Sequence, residues 1–127
     1  MAIPPTAIKA FHCMPILIEA AKKGTLINYD ELAAKINHPQ FHMGGVLAYV
    51  RDMICDQHRM PQLTSLIVIK GTDLPGESFF PEGRGELSDE DYRAICRPIQ
   101  QACFDFERWD AVWTNLKQHY QLGKEFK

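Results

Sequence analysis

Four side chains with metal-ligand chemistry fall close together in the first half of the chain. His38, His42, Cys55 and His58 read H-x3-H, twelve residues, then C-x2-H, the donor types of a zinc finger in reversed order. The element that must position them keeps them apart. Met43, Val46, Leu47, Val50, Met53 and Ile54 follow helical spacing, which predicts one helix from about His42 to Gln57. On a continuous helix His42 and Cys55 lie about 20 Å apart, against roughly 4 Å between the ligands of one zinc. A shared site would require the helix to break at Gly44-Gly45, and no metal site is expected. Cys55, His58 and Asp52 offer nucleophile, base and acid at one-turn spacing. No nucleophile elbow or oxyanion loop accompanies them. Cys55 reads as a core thiol beside Ile54, and no catalytic residue and no cofactor is assigned.

A second candidate is the stretch IKGTDLPGESFF, residues 69–80. Gly71 and Gly76 are separated by four residues, as in a phosphate-binding loop. Glu77-Ser78 replaces the lysine and hydroxyl of that motif, no helix follows, and a carboxylate at Glu77 repels phosphate. The stretch reads instead as a wing. Leu63–Lys70 is the best strand in the chain, Pro75-Gly76 suits the centre of a type II turn with positive φ at the glycine, and Phe79-Phe80 opens a return strand. Asp73 and Glu77 place two carboxylates near its tip.

The surrounding elements are mostly helical. Residues 6–23 form a helix, with Phe11, Met14, Ile18 and Ala21 on one face. Pro15 predicts a kink or a restart, and Gly24 a stop. Asn28 and Glu31 form a capping box for a short helix that buries Leu32, Ala33 and Ile36. Asn37-His38-Pro39 is a turn. Ser88 caps a helix carrying Tyr92, Ile95, Cys96, Ile99 and Cys103, kinked at Pro98. Trp109, Val112, Trp113, Leu116 and Tyr120 line a last helix that ends near Gly123. The predicted class is mainly α with a small β-hairpin, a winged helix-turn-helix core over about 6–82 and a C-terminal helical extension over about 88–122, in one domain of 127 residues.

Composition excludes some functions. The 46% apolar content supports a packed body. No run reaches the roughly 20 apolar residues of a membrane span. The first residues do not read as an export signal, and four cysteines without a C-x-x-C pair suit buried free thiols in the cytoplasm. Residues 1–60 hold six Lys/Arg against five Asp/Glu, residues 61–127 eight against eleven, for a net charge of −2. Any DNA contact must therefore use a local patch.

The segment from Gly24 to Phe79 resembles the DNA-binding domain of alkylguanine-DNA alkyltransferases and their catalytically inactive alkyltransferase-like relatives. Gly24 and Tyr29-Asp30-Glu31-Leu32-Ala33 match the start of the family's first helix, and Met43-Gly44-Gly45-Val46-Leu47 matches its recognition helix loosely. The family's Pro-Cys-His-Arg loop is replaced by Pro61-Gln62-Leu63-Thr64, and Gln62 cannot accept an alkyl group. The resemblance implies a DNA binder without chemistry, sensing distorted or modified bases. In it Phe41 takes the place of an intercalating arginine, and Tyr29 that of the tyrosine that helps turn the target nucleotide. The expected DNA-facing set is Phe41, His42 and Arg51 in the groove, Tyr29 and Lys35 on the backbone, and Lys70 with the loop Gly71, Asp73, Pro75, Gly76 and Glu77 as the wing. The alternative is a protein-interaction module, such as an inhibitor, immunity factor or phage-defence component, using the acidic second half. Homodimerisation through the C-terminal helices fits either reading.

Overall fold

The computed structural model describes residues 4–39, 42–76, 79–80 and 83–126. Helix α1, Pro5–Lys23, is the central element. Pro5 occupies its first position, where a missing N–H is harmless, and Gly24 ends it at φ 69°. Pro15 lies inside α1 without dividing it, so the helix does not restart there. Ala7, Ala10, Phe11, Cys13, Met14, Leu17, Ile18, Ala20 and Ala21 are all buried. Packing on so many sides offsets the roughly 3 kcal/mol cost of an interior proline.

Strand β1, Ile27–Asn28, leads directly into α2, Tyr29–Lys35. The capping box forms as expected: Glu31 N–H donates to Asn28 Oδ1 at 2.9 Å, and Asn28 N–H to Glu31 Oε1 at 3.4 Å. Lys9 on α1 donates from Nζ to the carbonyls of Ile36 and Asn37, at 2.8 and 3.2 Å, tying down the far end of α2. Helix α3, Met43–Tyr49, continues without a break into a π-helical segment, Val50–Asp56. Its wider i→i+5 turn brings Ile54 and Cys55 back to the buried Val50 face. It also carries Met53 outward, so that a residue expected on the apolar stripe is 43% exposed.

The predicted strand over Leu63–Lys70 is corrected to a 3₁₀ turn, Leu63–Leu66, followed by a two-residue strand β2, Ile67–Val68. Residues 63–68 are buried throughout, so no alternating solvent face exists. The polar members of the turn find partners instead: Gln100 Nε2 donates to the Ser65 carbonyl at 2.9 Å, and Thr64 Oγ1 to Gln62 Oε1, also at 2.9 Å. Strand β2 pairs with β1 in parallel, Ile27 opposite Ile67 and Asn28 opposite Val68. The small sheet is therefore a parallel pair and not the expected hairpin. Beyond it, among the described residues, one isolated antiparallel bridge joins Val68 to Pro75, and Phe79-Phe80 are not in a strand.

Helix α4, Asp89–Asp105, is capped by Ser88, whose Oγ accepts from Asp91 N–H at 3.1 Å, and runs through Pro98. Helix α5, Trp109–His119, buries Trp109, Trp113 and Leu116. Five α-helices and the two-stranded parallel sheet make the described part mainly α. One apolar cluster takes residues from α1, α2, α3 and the π segment together with Cys103, Trp109, Trp113, Leu116 and Phe126. A smaller cluster of Leu74, Phe79, Tyr92 and Cys96 sits beneath the loop after β2. Among the described residues no helix is long and apolar enough to cross a membrane.

Candidate functional site

Helices α2 and α3 and the turn between them hold the first group of expected DNA contacts. Lys35 is exposed at the end of α2 and His42 at the start of α3. His38 joins them from the turn, its Nε2 3.3 Å from the His42 carbonyl oxygen and its ring centroid 6.5 Å from that of His42. The next two helical positions, Gly44 and Gly45, are exposed. Among the described residues, a Cβ on Gly44 would meet nothing within 4 Å, and one on Gly45 only Thr6 Cγ2 at 4.0 Å. Phe41 lies outside the described residues, as does Glu77 of the loop.

Arg51 does not join His42. Nine positions of helix place them about 13 Å apart along the axis and on opposite sides of it. The Arg51 side chain is only 12% exposed. Its Nε and Nη2 donate to the Asp52 carboxylate at 2.8 and 2.9 Å, and this bond holds the Asp52 carboxyl below its usual range. Lys70 remains exposed, with Nζ 3.9 Å from Asp30 Oδ2 at the start of α2.

The loop after β2 folds down onto the protein instead of projecting as a wing. Thr72 closes it, donating from its N–H to the Ile69 carbonyl at 2.9 Å and from Oγ1 to the same oxygen at 2.8 Å. Ile69 N–H donates to the Leu74 carbonyl at 2.9 Å. The expected type II turn at Pro75-Gly76 is absent, because the left-handed glycine is Gly71, at φ 83°. Gly76 is required for a different reason. Its N–H donates to Tyr29 Oη at 2.9 Å, its carbonyl accepts from Tyr92 Oη at 3.3 Å, and a Cβ would lie 2.8 Å from Tyr29 Cζ. Tyr29 is thus a clamp on the loop. Asp73 does not sit at an exposed tip: Arg93 Nε donates to both its carboxylate oxygens, at 3.0 and 2.9 Å, and Arg97 Nη2 to one, at 2.9 Å. The Arg93 bond holds the Asp73 carboxyl below its ordinary value.

Cys55, His58 and Asp52 face three different environments. The Cys55 thiol is fully buried, and loss of hydration pushes its pKa up to about 12, so it stays protonated. Asp52 is paired with Arg51, and His58 turns to the last helix. All four cysteines are buried and unbridged. Among the described residues no three or more His, Cys, Asp or Glu side chains gather as a metal set.

One concave histidine site was not legible in the motif spacing. His58, Met60, Val112, Asn115, Leu116 and His119 line a pocket of about 340 Å³ between the end of the π segment and α5. His58 Nε2 lies 2.7 Å from Tyr120 Oη, which also reaches the Met53 carbonyl at 3.5 Å. The His58 and His119 rings meet edge-on, with centroids 5.3 Å apart. Burial, and secondarily the charge of His119, lower the His58 pKa. The helical spacing of Asn115 and His119 was visible in the sequence, but their pairing with His58 needed the fold. No family model, curated protein or solved structure matches the chain.

Proposed function

We propose that the chain is a non-enzymatic DNA-binding protein of helix-turn-helix character that docks on a duplex through the α2–α3 turn and the first turn of α3, sensing distorted or modified bases. The observation that carries this reading is Gly44-Gly45. Each glycine in a helix costs about 1 kcal/mol relative to alanine, and among the described residues no close contact calls for either one. A bare first helical turn suits the close approach of another molecule's backbone, and the start of the second helix is where helix-turn-helix units meet base edges. Lys35, His38 and His42 flank it, and the partial alkyltransferase-like pattern supports the same assignment.

The charge available is small, since Lys70 has Asp30 nearby and Arg51 is paired with Asp52. Two phosphate contacts give a slope of log affinity against log salt of about −2. Salt-titrated binding to intact, mismatched and alkylated duplexes tests the reading. The expected result is binding at low salt that weakens with that slope and favours the distorted duplexes. Absence of binding at low salt, or binding indifferent to salt, refutes it.

The opening turn of α4 favours a second reading. Glu90 and Asp91 are exposed beside Asp89, an acidic surface suited to a basic protein partner. Stoichiometric co-purification with one protein, in a chain that binds no duplex, would support an interaction module instead.

A further inference from the structure

We infer, resting on the acidic-surface reading of α4, that its solvent face docks a basic amphipathic helix of another protein. Tyr92, Cys96, Gln100 and Cys103 set the buried side of α4. On the opposite side Ala94, Ile95, Pro98 and Ala102 are all exposed, and helical geometry puts them within an arc of about 100°. Ile95, the largest of them, is 42% exposed. The same stripe carries exposed Asp91 at its start and Asp105 at its end, about 21 Å apart along the axis.

Two features of this face are costly to the helix on its own. Pro98 supplies no N–H, so the Ala94 carbonyl, four residues before it, lacks its α-helical donor. Asp105 puts a negative charge at the negative end of a helix whose last turn holds no basic residue. Its carboxylate accepts the neutral Gln101 amide at 2.8 Å. A partner that brings an N–H donor to the first and a cation to the second relieves both. The local charges fix the partner's sign. Arg93 and Arg97 turn aside to Asp73, and Arg84 from the preceding loop pairs with Asp89. That leaves Glu90, Asp91 and Asp105 of α4 facing solvent. A second copy does not fit, since two α4 stripes laid together oppose acid to acid in either orientation. A helix with small apolar residues along one side and Lys or Arg about four turns apart matches both the stripe and its ends. One such contact falls short of the roughly 1,200 Å² of a stable interface, so a dissociation constant of about 10–100 μM is expected.

The test is amide-resolved NMR titration of the full chain with a helix-forming peptide of about 18 alanine and leucine residues that carries lysines at both ends of one stripe. The same peptide with glutamates in place of the lysines is the control. The expected result is binding of the lysine peptide at low salt, with shifts centred on Asp91, Ala94, Ile95 and Ala102, and no binding of the control. Ile95→Gln, a neutral change at an exposed position, should weaken binding about tenfold or more and leave thermal unfolding as it is. Asp91→Asn combined with Asp105→Asn should weaken it by about tenfold and flatten its salt dependence. Failure of the lysine peptide to bind sinks the docking and the acidic-surface reading together. Wild-type affinity in Ile95→Gln overturns the docking and leaves the acidic surface standing. Shifts confined to another face, or a dimer in sedimentation that Ile95→Gln disperses, also overturn it.

Discussion

Substituting Gly76 by alanine isolates the contact that holds the loop after β2 against α2. Gly76 does not have a positive φ, so alanine brings no backbone strain. The added methyl would sit 2.8 Å from Tyr29 Cζ and 2.9 Å from Cε2, well inside van der Waals contact. Overpacking of this kind costs about 1–3 kcal/mol. Forced separation also threatens the bond from Gly76 N–H to Tyr29 Oη, worth about 1 kcal/mol. The sum is about 3 kcal/mol. For a chain of 127 residues, the unfolding entropy of about 2.1 cal/mol/K per residue turns that into a fall in Tm of about 11 °C. Thermal and urea unfolding of Gly76→Ala measure it, and Tyr29→Phe serves as the second arm of a double-mutant cycle. Removing the hydroxyl takes away the bond and the nearest obstruction together, so the double variant should be more stable than Gly76→Ala alone. A loss below about 0.5 kcal/mol in Gly76→Ala, or strict additivity in the cycle, refutes the clamp.

Two further outcomes follow from the charges and thiols. The Asp73 carboxyl is held below its ordinary value of 3.8 by Arg93, so its stabilising effect is complete above that value and disappears as pH falls through the lower folded value; Asp73→Asn should lower stability at neutral pH and flatten the acid limb, and an unchanged acid limb would rule this out. The Cys13 and Cys55 thiols are raised to about 12 and Cys103 to about 11 by burial, so at pH 8 a thiol reagent should label native protein only as fast as it opens; rapid stoichiometric labelling of Cys55 would restore it as a reactive nucleophile.

Features set by neighbours in the chain were legible from the residues. The Asn28–Glu31 box, the Ser88 cap and the Gly24 stop each depend on a few consecutive positions, and each forms. Features decided by distant partners were not. Leu63–Leu66 has strand-forming residues, yet burial on all sides and Gln100, 35 positions from Ser65, favour a 3₁₀ turn. Gly76 looked like a turn glycine because its real constraint, Tyr29, is 47 residues away. Asp73 looked like a free loop carboxylate because Arg93 and Arg97 follow 20 and 24 positions later. In sequence His58 stands beside Cys55 and Asp52, whereas its hydrogen-bond partner, Tyr120, is 62 positions on. His42 and Arg51 both suit a DNA groove by side-chain type, but the helix between them puts them on opposite sides.

The proposed DNA contact is tested most directly by Gly44→Ala, measured for both stability and duplex binding. A Cβ there meets nothing within 4 Å among the described residues outside its own helix backbone, so the variant should be more stable by up to about 1 kcal/mol. If the bare turn exists for close approach to DNA, fluorescence anisotropy on a distorted duplex at low salt should show weaker binding by the same variant. A stabilised variant that binds as the wild type does, or a wild type that binds no duplex, contradicts the proposal.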